Sequence, residues 1–422
     1  MINPAQTKTG PTQIDVSPFN TLPFELLLNP AAKPGAVYGP EQAEVLNQAA
    51  LRRARATVRA WPGYAVTPLA ALPGIARAAG VASVYYKDEG YRFGLKSFKP
   101  LGGAYAVACL LQREIARASG GHEVSAADLV DGSFQSLCAD ITVTAASDGN
   151  HGRSVAWGAR MFGCRCVIFI NEAVSEGRER AIAAYGAEVR RHPGSYDDAV
   201  RAAQRAADTH GWHVIPDTSD GTVIDAPRDV MQGYEVMADE AVAQLSGSTP
   251  THIFLQAGVG GMAAAVCAHF WRAGNRKPLI VLVESYQSAC WFESLKAQRP
   301  VTICGDLDSL MGGLSCGEVS RLAWKILKPG ADAAMKVADD AAAEAMRLLA
   351  RGQYGDAPRV AGESGVAGLA GFLAVAGNQD ARASIALDAS SRVLLFGTEG
   401  ATDQETYTAL VGCAPEEVRD EH

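Results

Sequence analysis

Three stretches of this chain place reactive or ligand-binding groups where the backbone turns into a helix. The first reads Arg92-Phe93-Gly94-Leu95-Lys96-Ser97-Phe98-Lys99-Pro100-Leu101-Gly102-Gly103-Ala104-Tyr105, with a lysine just before Pro and Gly-Gly. A lysine at a helix start feels a positive local potential, which favours the neutral amine needed to form an imine. Taken alone, a solvated turn lysine is the plainer reading. Lys96 and Lys87 rival Lys99 by composition, although neither stands in the Phe-Lys-Pro-Leu-Gly-Gly context. The second stretch, Thr144-Ala145-Ala146-Ser147-Asp148-Gly149-Asn150-His151-Gly152, leaves a strand and enters a helix through small and polar residues. Its N–H groups and the positive helix end suit an anion, and the Asn150 amide suits a ring hydroxyl. Simple capping by Ser147 or Asp148 is an equal reading of this stretch on its own. The third, Gln256-Ala257-Gly258-Val259-Gly260-Gly261-Met262, is again a strand, glycines and a helix, which suits a phosphate monoester. A dinucleotide fingerprint fits worse, because its third glycine position is Ala263 and Glu284 is the only loosely placed acid.

The elements that must position these turns follow from the alternation of short β-branched runs with Ala-rich amphipathic stretches. That pattern predicts an α/β fold of parallel strands joined by crossover helices. Strands are expected at Val84–Lys87, Asp140–Ala145, Cys164–Ile170, Ala187–Arg191, Trp212–Ile215, Thr251–Gln256, Leu279–Glu284 and Arg392–Gly397. Helices are expected at Gly102–Ala118, His151–Phe162, Ser175–Tyr185, Tyr196–His210, Asp229–Leu245, Met262–Ala273, Asp339–Ala350, Ser364–Ala376 and Thr402–Val411. Residues 1–60 read as an irregular arm leading into a helix around Pro40–Ala60, free to wrap a neighbour. In open parallel sheets ligands sit beyond the carboxyl ends of strands, where these turns fall.

Composition narrows the ligand. With 48% hydrophobic and 20% charged residues, the 422-residue chain matches a globular enzyme, and no apolar run is long enough to span a bilayer. The first thirty residues lack the pattern of a secretory signal, so a cytoplasmic location is expected. A net charge of −8 without basic blocks argues against nucleic acid. Nine cysteines without a C-x-x-C pair, and eight histidines without ligand spacing, give no metal site.

A lysine, an amide-bearing turn and a phosphate cradle together meet the needs of pyridoxal 5′-phosphate. From Trp61-Pro62-Gly63-Tyr64 to Gly397-Thr398-Glu399-Gly400-Ala401-Thr402-Asp403 the chain resembles the 2,3-diaminopropionate ammonia-lyases, fold type II enzymes of the tryptophan synthase β-like superfamily. The resemblance is carried by Lys87-Asp88-Glu89, Arg92-Phe93-Gly94-Leu95, Phe98 to Ala106, Ser147 to Ala156, Asp217-Thr218, Met231-Gln232-Gly233-Tyr234, Gln256 to Gly260 and Gly362-Glu363-Ser364-Gly365. It implies two open, twisted, mostly parallel sheets flanked by helices. The site would lie between a large domain (1–113 and 231–422) and a smaller mobile one (114–230), in a homodimer.

The resemblance also implies roles. Lys99 would hold the cofactor as a Schiff base, next to Phe98. Asn150 would bond the ring hydroxyl, and Gly258, Val259, Gly260, Gly261 and Met262 would cradle the phosphate. The family eliminates the β-amino group of diaminopropionate to give aminoacrylate, which hydrolyses to pyruvate and a second ammonia. Accepting both isomers needs two bases: Lys99 for L and Asp148 for D, with Asp217 as a further acid. Ser147, Asp148, Gly149 and His151 would meet substrate. Thr398 is the nearest hydroxyl for the pyridine nitrogen, with Gly397 where serine is usual. After Asp217-Thr218 the family carries A-W-E-G-Y, whereas this chain has Ser219-Asp220-Gly221-Thr222-Val223. Asp220 could attract an amine-bearing substrate or be a solvated turn acid. Cys290 and Cys316 stand where the family has two cysteines able to pair, and free thiols are expected. A serine, threonine or hydroxyaspartate dehydratase is the alternative enzyme, and a nucleotide-binding or regulatory protein the alternative class.

Overall fold

A computed structural model describes residues 14–418 apart from 34, 148 and 274–276. Among these residues the strands are β1 (Phe24–Leu28), β2 (Leu69–Ala71), β3 (Ser83–Asp88), β4 (Thr142–Ala146), β5 (Arg165–Asn171), β6 (Glu188–His192), β7 (His213–Val214), β8 (His252–Gln256), β9 (Leu279–Ser285), β10 (Ala333–Val337) and β11 (Arg392–Gly397). They build a seven-stranded sheet ordered β1-β10-β9-β8-β11-β3-β2 and a four-stranded sheet ordered β6-β5-β4-β7. The smaller sheet is parallel throughout. The larger one is parallel except at its edges, where β1 runs antiparallel to β10 and β2 to β3. Helices flank both, the arrangement expected of fold type II. The helix Ala367–Ala376 is apolar on every side and all of it is buried, as a helix inside a core must be. No helix among the described residues is long and apolar enough to cross a membrane.

Each strand expected from the sequence is present. Three more are found, and their composition explains why they were hidden. β1 is Phe-Glu-Leu-Leu-Leu and β10 is Ala-Ala-Met-Lys-Val, rich in residues that favour helices, and β2 is only three residues long. Pairing with a neighbouring strand overrides those local preferences. β1 also corrects the expected N-terminal arm: the described residues between 14 and 60 are built into the fold, while 1–13 and 34 lie outside the described residues. The helix expected around Pro40–Ala60 is two helices, Pro40–Ala43 and Gln48–Arg59. Asn47 starts the second, its side chain accepting the Ala50 N–H at 2.9 Å.

The chain passes between the two sheets along continuous helices. The expected domain borders at 113/114 and 230/231 fall inside Pro100–Ala118 and Asp225–Gln244, which pack on each other. Gly102 makes this packing possible, and Gly103 does the same for the helix Asn150–Phe162 on the other side. A Cβ at 102 would stand 2.3 Å from the Tyr234 ring, and one at 103 would stand 1.8 Å from Ser154 Oγ. The glycine pair after Lys99 therefore serves close helix approach, which holds the start of its helix in place.

A buried charge network ties the end of β3 to Asp225–Gln244. Lys87 Nζ donates to Glu240 Oε2 at 2.8 Å, to Gln244 Oε1 at 2.9 Å and to the Thr67 carbonyl at 2.7 Å. The Arg92 guanidinium bonds Glu89 at 2.8 and 2.9 Å and Glu240 at 2.7 and 3.0 Å. All four charged side chains are buried, and two cations balance two carboxylates. Removing one member leaves an uncompensated buried charge, whose cost exceeds what the pair itself contributes. Glu240→Gln is accordingly expected to lower unfolding free energy by about 3–5 kcal/mol, measured by urea denaturation. A loss below about 1 kcal/mol would show that the network is not a fixed joint.

Candidate active site

The three turns singled out by sequence converge. Lys99 caps the helix Pro100–Ala118, and its Nζ donates to Asp217 Oδ2 at 2.7 Å. Both side chains keep one fifth of their surface exposed, so a small molecule can reach them. Phe98 and Tyr234 pack ring to ring at 4.6 Å, and the ammonium lies 5.5 and 5.9 Å from their centroids. The glycine loop follows β8 and leads into the helix Gly261–Ala273. A Cβ at Gly261 would stand 3.7 Å from the Asp217 carbonyl oxygen and 3.9 Å from the Tyr234 ring. Lysine, acid and glycine loop are thus one site.

The charge state of Lys99 corrects the sequence expectation. Burial by itself would depress the amine, but the Asp217 carboxylate overrides it and holds the group above the usual lysine range. Conversely, burial would raise the Asp217 carboxyl, and Lys99 with His151 pulls it well below the ordinary carboxylate range. The helix start is thus outweighed by a full charge at contact distance. His151 is buried and held below the usual histidine range, chiefly by that burial. Its Nε2 lies 2.7 Å from the Ile215 carbonyl oxygen, which places the ring proton there. Nδ1 is left bare, 4.0 Å from Asp217 Oδ2 and without a hydrogen-bond partner among the described residues.

In the second turn, Ser147 Oγ accepts the N–H groups of Gly149 at 3.3 Å and Gly152 at 2.9 Å, so it shapes the entry to the helix Asn150–Phe162. Asn150 Nδ2 donates to Glu399 Oε2 at 2.7 Å, and Arg153 donates to Asn150 Oδ1 at 3.2 Å. Asp148 lies outside the described residues. Asp220 turns its carboxylate onto its own loop, accepting the Thr222 N–H at 2.8 Å and hydroxyl at 2.6 Å.

The third turn is a cradle that side chains would fill. Gly260 has φ +96°, and a Cβ there would stand 2.2 Å from the buried Trp291 ring. A Cβ at Gly258 would stand 3.1 Å from Cys316 Sγ. Trp291 Nε1 donates to the Gly258 carbonyl at 2.9 Å, and the Ser320 N–H to that of Val259 at 2.9 Å, which pins the loop from behind. Met262 is buried in the first helical turn, whose N–H groups have no partners within the helix. Cys290 and Cys316 are free thiols, both raised by burial. At the end of β11, Thr398 Oγ1 accepts from Gln256 Nε2 at 2.6 Å. Gln256, Trp291, Tyr234 and Glu399 were assigned no role from sequence. Glu399 had a usable signal, since it stands next to Thr398 beyond the carboxyl end of a strand.

An accessible amine, a glycine loop at a helix start and a side-chain amide at another helix start are the groups that a vitamin B6 enzyme needs. The chain belongs to the pyridoxal-phosphate dependent enzyme family, whose model matches residues 60–391. It is 38% identical to the diaminopropionate ammonia-lyase of Escherichia coli over 89% of this chain and 94% of that protein. To the diaminopropionate ammonia-lyase of Salmonella typhimurium it is 37% identical over 83% and 89%. The crystal structure of the E. coli enzyme in complex with an aminoacrylate-pyridoxal phosphate azomethine intermediate superposes with a TM-score of 0.82 at 34% identity. That match covers 92% of this chain and 97% of that one.

Because Asp217 holds a proton on Lys99, attachment of an aldehyde to Nζ in the cofactor-free protein should quicken as pH rises and the ammonium is lost. Asp217→Asn removes the opposing charge and lets burial lower the amine, so its attachment at pH 7 should be about tenfold or more faster. Stopped-flow absorbance on adding pyridoxal phosphate measures this. A variant slower than wild type would contradict the assignment.

Proposed function

We propose that this chain is an ammonia-lyase that converts 2,3-diaminopropionate and water into pyruvate and two molecules of ammonia. The observation that carries the reading is the accessible Lys99 amine at 2.7 Å from Asp217, beside the Gly258–Met262 loop. Its kinship with the diaminopropionate ammonia-lyases supplies the substrate. The residues present fit pyridoxal phosphate: Lys99 would carry its aldehyde carbon, the glycine loop its phosphate, Asn150 its ring hydroxyl, and Thr398 would face its ring nitrogen. When bound, pyridoxal phosphate supplies an electron sink for the pair left at Cα once its proton is removed.

The chain's own groups then handle binding and protons. The positive end of the helix Asn150–Phe162, behind the Ser147 and Gly149 turn, suits the substrate carboxylate. Lys99 Nζ takes the Cα proton of the L isomer, and Asp148, two residues before Asn150 in sequence, that of the D isomer. Asp217 Oδ2 accepts from the Nζ that has taken the Cα proton and can relay that proton to the departing β-amine, returning to the carboxylate as it does so. His151, bound to the Ile215 carbonyl, fixes the wall behind Asp217. Asp220 is left out of this set, because its carboxylate is held by Thr222. By analogy with the fold the protein is taken as a homodimer, which sedimentation of the purified protein checks, and the cytoplasmic location remains the expectation from its first thirty residues.

A substrate panel tests the reading. Pyruvate and ammonia should be released from D- and L-diaminopropionate at least about 100-fold more efficiently than from serine or threonine. Turnover of hydroxyamino acids alone would make the protein a dehydratase. In Asp148→Asn the D reaction should fall by about 100-fold or more with the L reaction retained. Equal losses on both isomers would remove the two-base assignment.

A further inference from the structure

Trp291 has no place in the assigned chemistry, yet it touches the glycine loop on either side of Val259. It is buried in the helix Cys290–Ala297, and its indole N–H donates to the Gly258 carbonyl at 2.9 Å. The weaker Cys290 thiol stands 3.7 Å from the same oxygen. The indole also leaves no room for a Cβ at Gly260, which would stand 2.2 Å from Cζ2.

Trp291 is itself held by its backbone and by its ring. Glu284, near the end of β9 and also buried, accepts the Trp291 N–H on Oε1 and the Phe292 N–H on Oε2, both at 2.8 Å. The indole stacks on that of Trp324, with centroids 5.8 Å apart and planes at 29°. Trp324 lies in the first turn of the helix Arg321–Gly330, and Ser320, the residue before that helix, donates its N–H to the Val259 carbonyl at 2.9 Å. Two consecutive carbonyls of the loop are therefore held by elements that the stacked indoles tie together.

We propose that Trp291 is a positioning residue for the anion site: by holding the Gly258 carbonyl it orients the loop so that its N–H groups face the cofactor's phosphate. The inference rests on the assignment of Gly258–Met262 to that phosphate. Both peptides of the turn are trans, and a trans peptide points its N–H opposite to its carbonyl. With the Gly258 carbonyl on the indole, the Val259 N–H points away from Trp291. With the Val259 carbonyl on Ser320, the Gly260 N–H points away from that residue. Trp291 and Ser320 are both buried, so the two donors turn from the buried side of the loop. They lead into Gly261 and Met262, whose N–H groups open the helix Gly261–Ala273 and have no partner within it. Without the indole N–H, the Gly258 carbonyl loses its strong donor and the peptide that carries the Val259 N–H loses its fixed orientation.

The test compares pyridoxal 5′-phosphate with pyridoxal, which has the same ring and aldehyde but no phosphate, on cofactor-free protein. Both affinities are read from the visible absorbance that appears on attachment to Lys99. Trp291→Phe keeps an aromatic ring and removes the N–H, so it should bind pyridoxal phosphate about tenfold more weakly than wild type, with its affinity for pyridoxal unchanged within about twofold. Trp324→Leu, at a half-buried position, keeps the N–H and removes the stack, and should show the same selective loss at about threefold. Equal losses on the two ligands, or an unchanged affinity for the phosphorylated one, would overturn the inference while leaving the cofactor assignment standing; if Trp291→Phe does not fold, the same outcomes in Trp324→Leu decide. Wild type should itself prefer the phosphorylated ligand by about 100-fold or more. Similar affinities there would overturn the phosphate assignment, and the inference with it.

Discussion

Lys87, Glu89, Arg92 and Glu240 bury two full positive and two full negative charges at the end of β3, and the placement of Lys99 depends on their pairing. Groups that cannot be left unpaired away from water act as a joint: the turn after β3 has to stay where Glu240 on Asp225–Gln244 can satisfy it. From that joint the chain runs through residues at positive φ, Phe93 at 50°, Gly94 at 71° and Lys96 at 55°. Such backbone is costly for side chains larger than glycine and persists only where its surroundings over-determine it. Here the surroundings are the network on one side and the Thr398–Gly400 strand end on the other, and between them Lys99 is delivered to the start of its helix.

Two lysines of this segment illustrate how environment divides labour. Lys87 is enclosed and its amine is lowered, chiefly by burial, yet it is committed to Glu240, Gln244 and the Thr67 carbonyl and has no exposed surface. Lys99 keeps a fifth of its surface open and is held protonated by one carboxylate that a ligand can displace. Reach, more than ease of deprotonation, separates the two lysines. Asp217 is correspondingly ionised: Lys99 keeps its carboxyl deprotonated, and the two form a close charge pair.

Much of this was legible in the sequence, and unevenly so. The parallel strands showed because buried β-branched runs have few other uses, and the three helix-entry turns showed because glycine and small polar residues mark them. β1 and β10 did not, because their leucines and alanines become strand only by pairing with neighbours, β1 with β10 and β10 also with β9. The kinship-bearing runs Lys87-Asp88-Glu89 and Arg92 to Leu95 hold the turn in place from within the core, and Gly102 and Gly103 each let a different helix approach theirs. The charge state of Lys99 is not legible there for the same reason: Asp217, the group that decides it, is far away in sequence and only the fold brings it to 2.7 Å. Glu399 was passed over beside Thr398, since a buried acid is recognised by what surrounds it.

The claim that Lys99 carries pyridoxal phosphate is tested most directly by reducing the loaded protein with borohydride and mapping the modified peptide by mass spectrometry. The account predicts one phosphopyridoxyl group per chain, on Lys99, and loss of that label in Lys99→Ala. Label on Lys96 or Lys87 in the wild-type protein would contradict it.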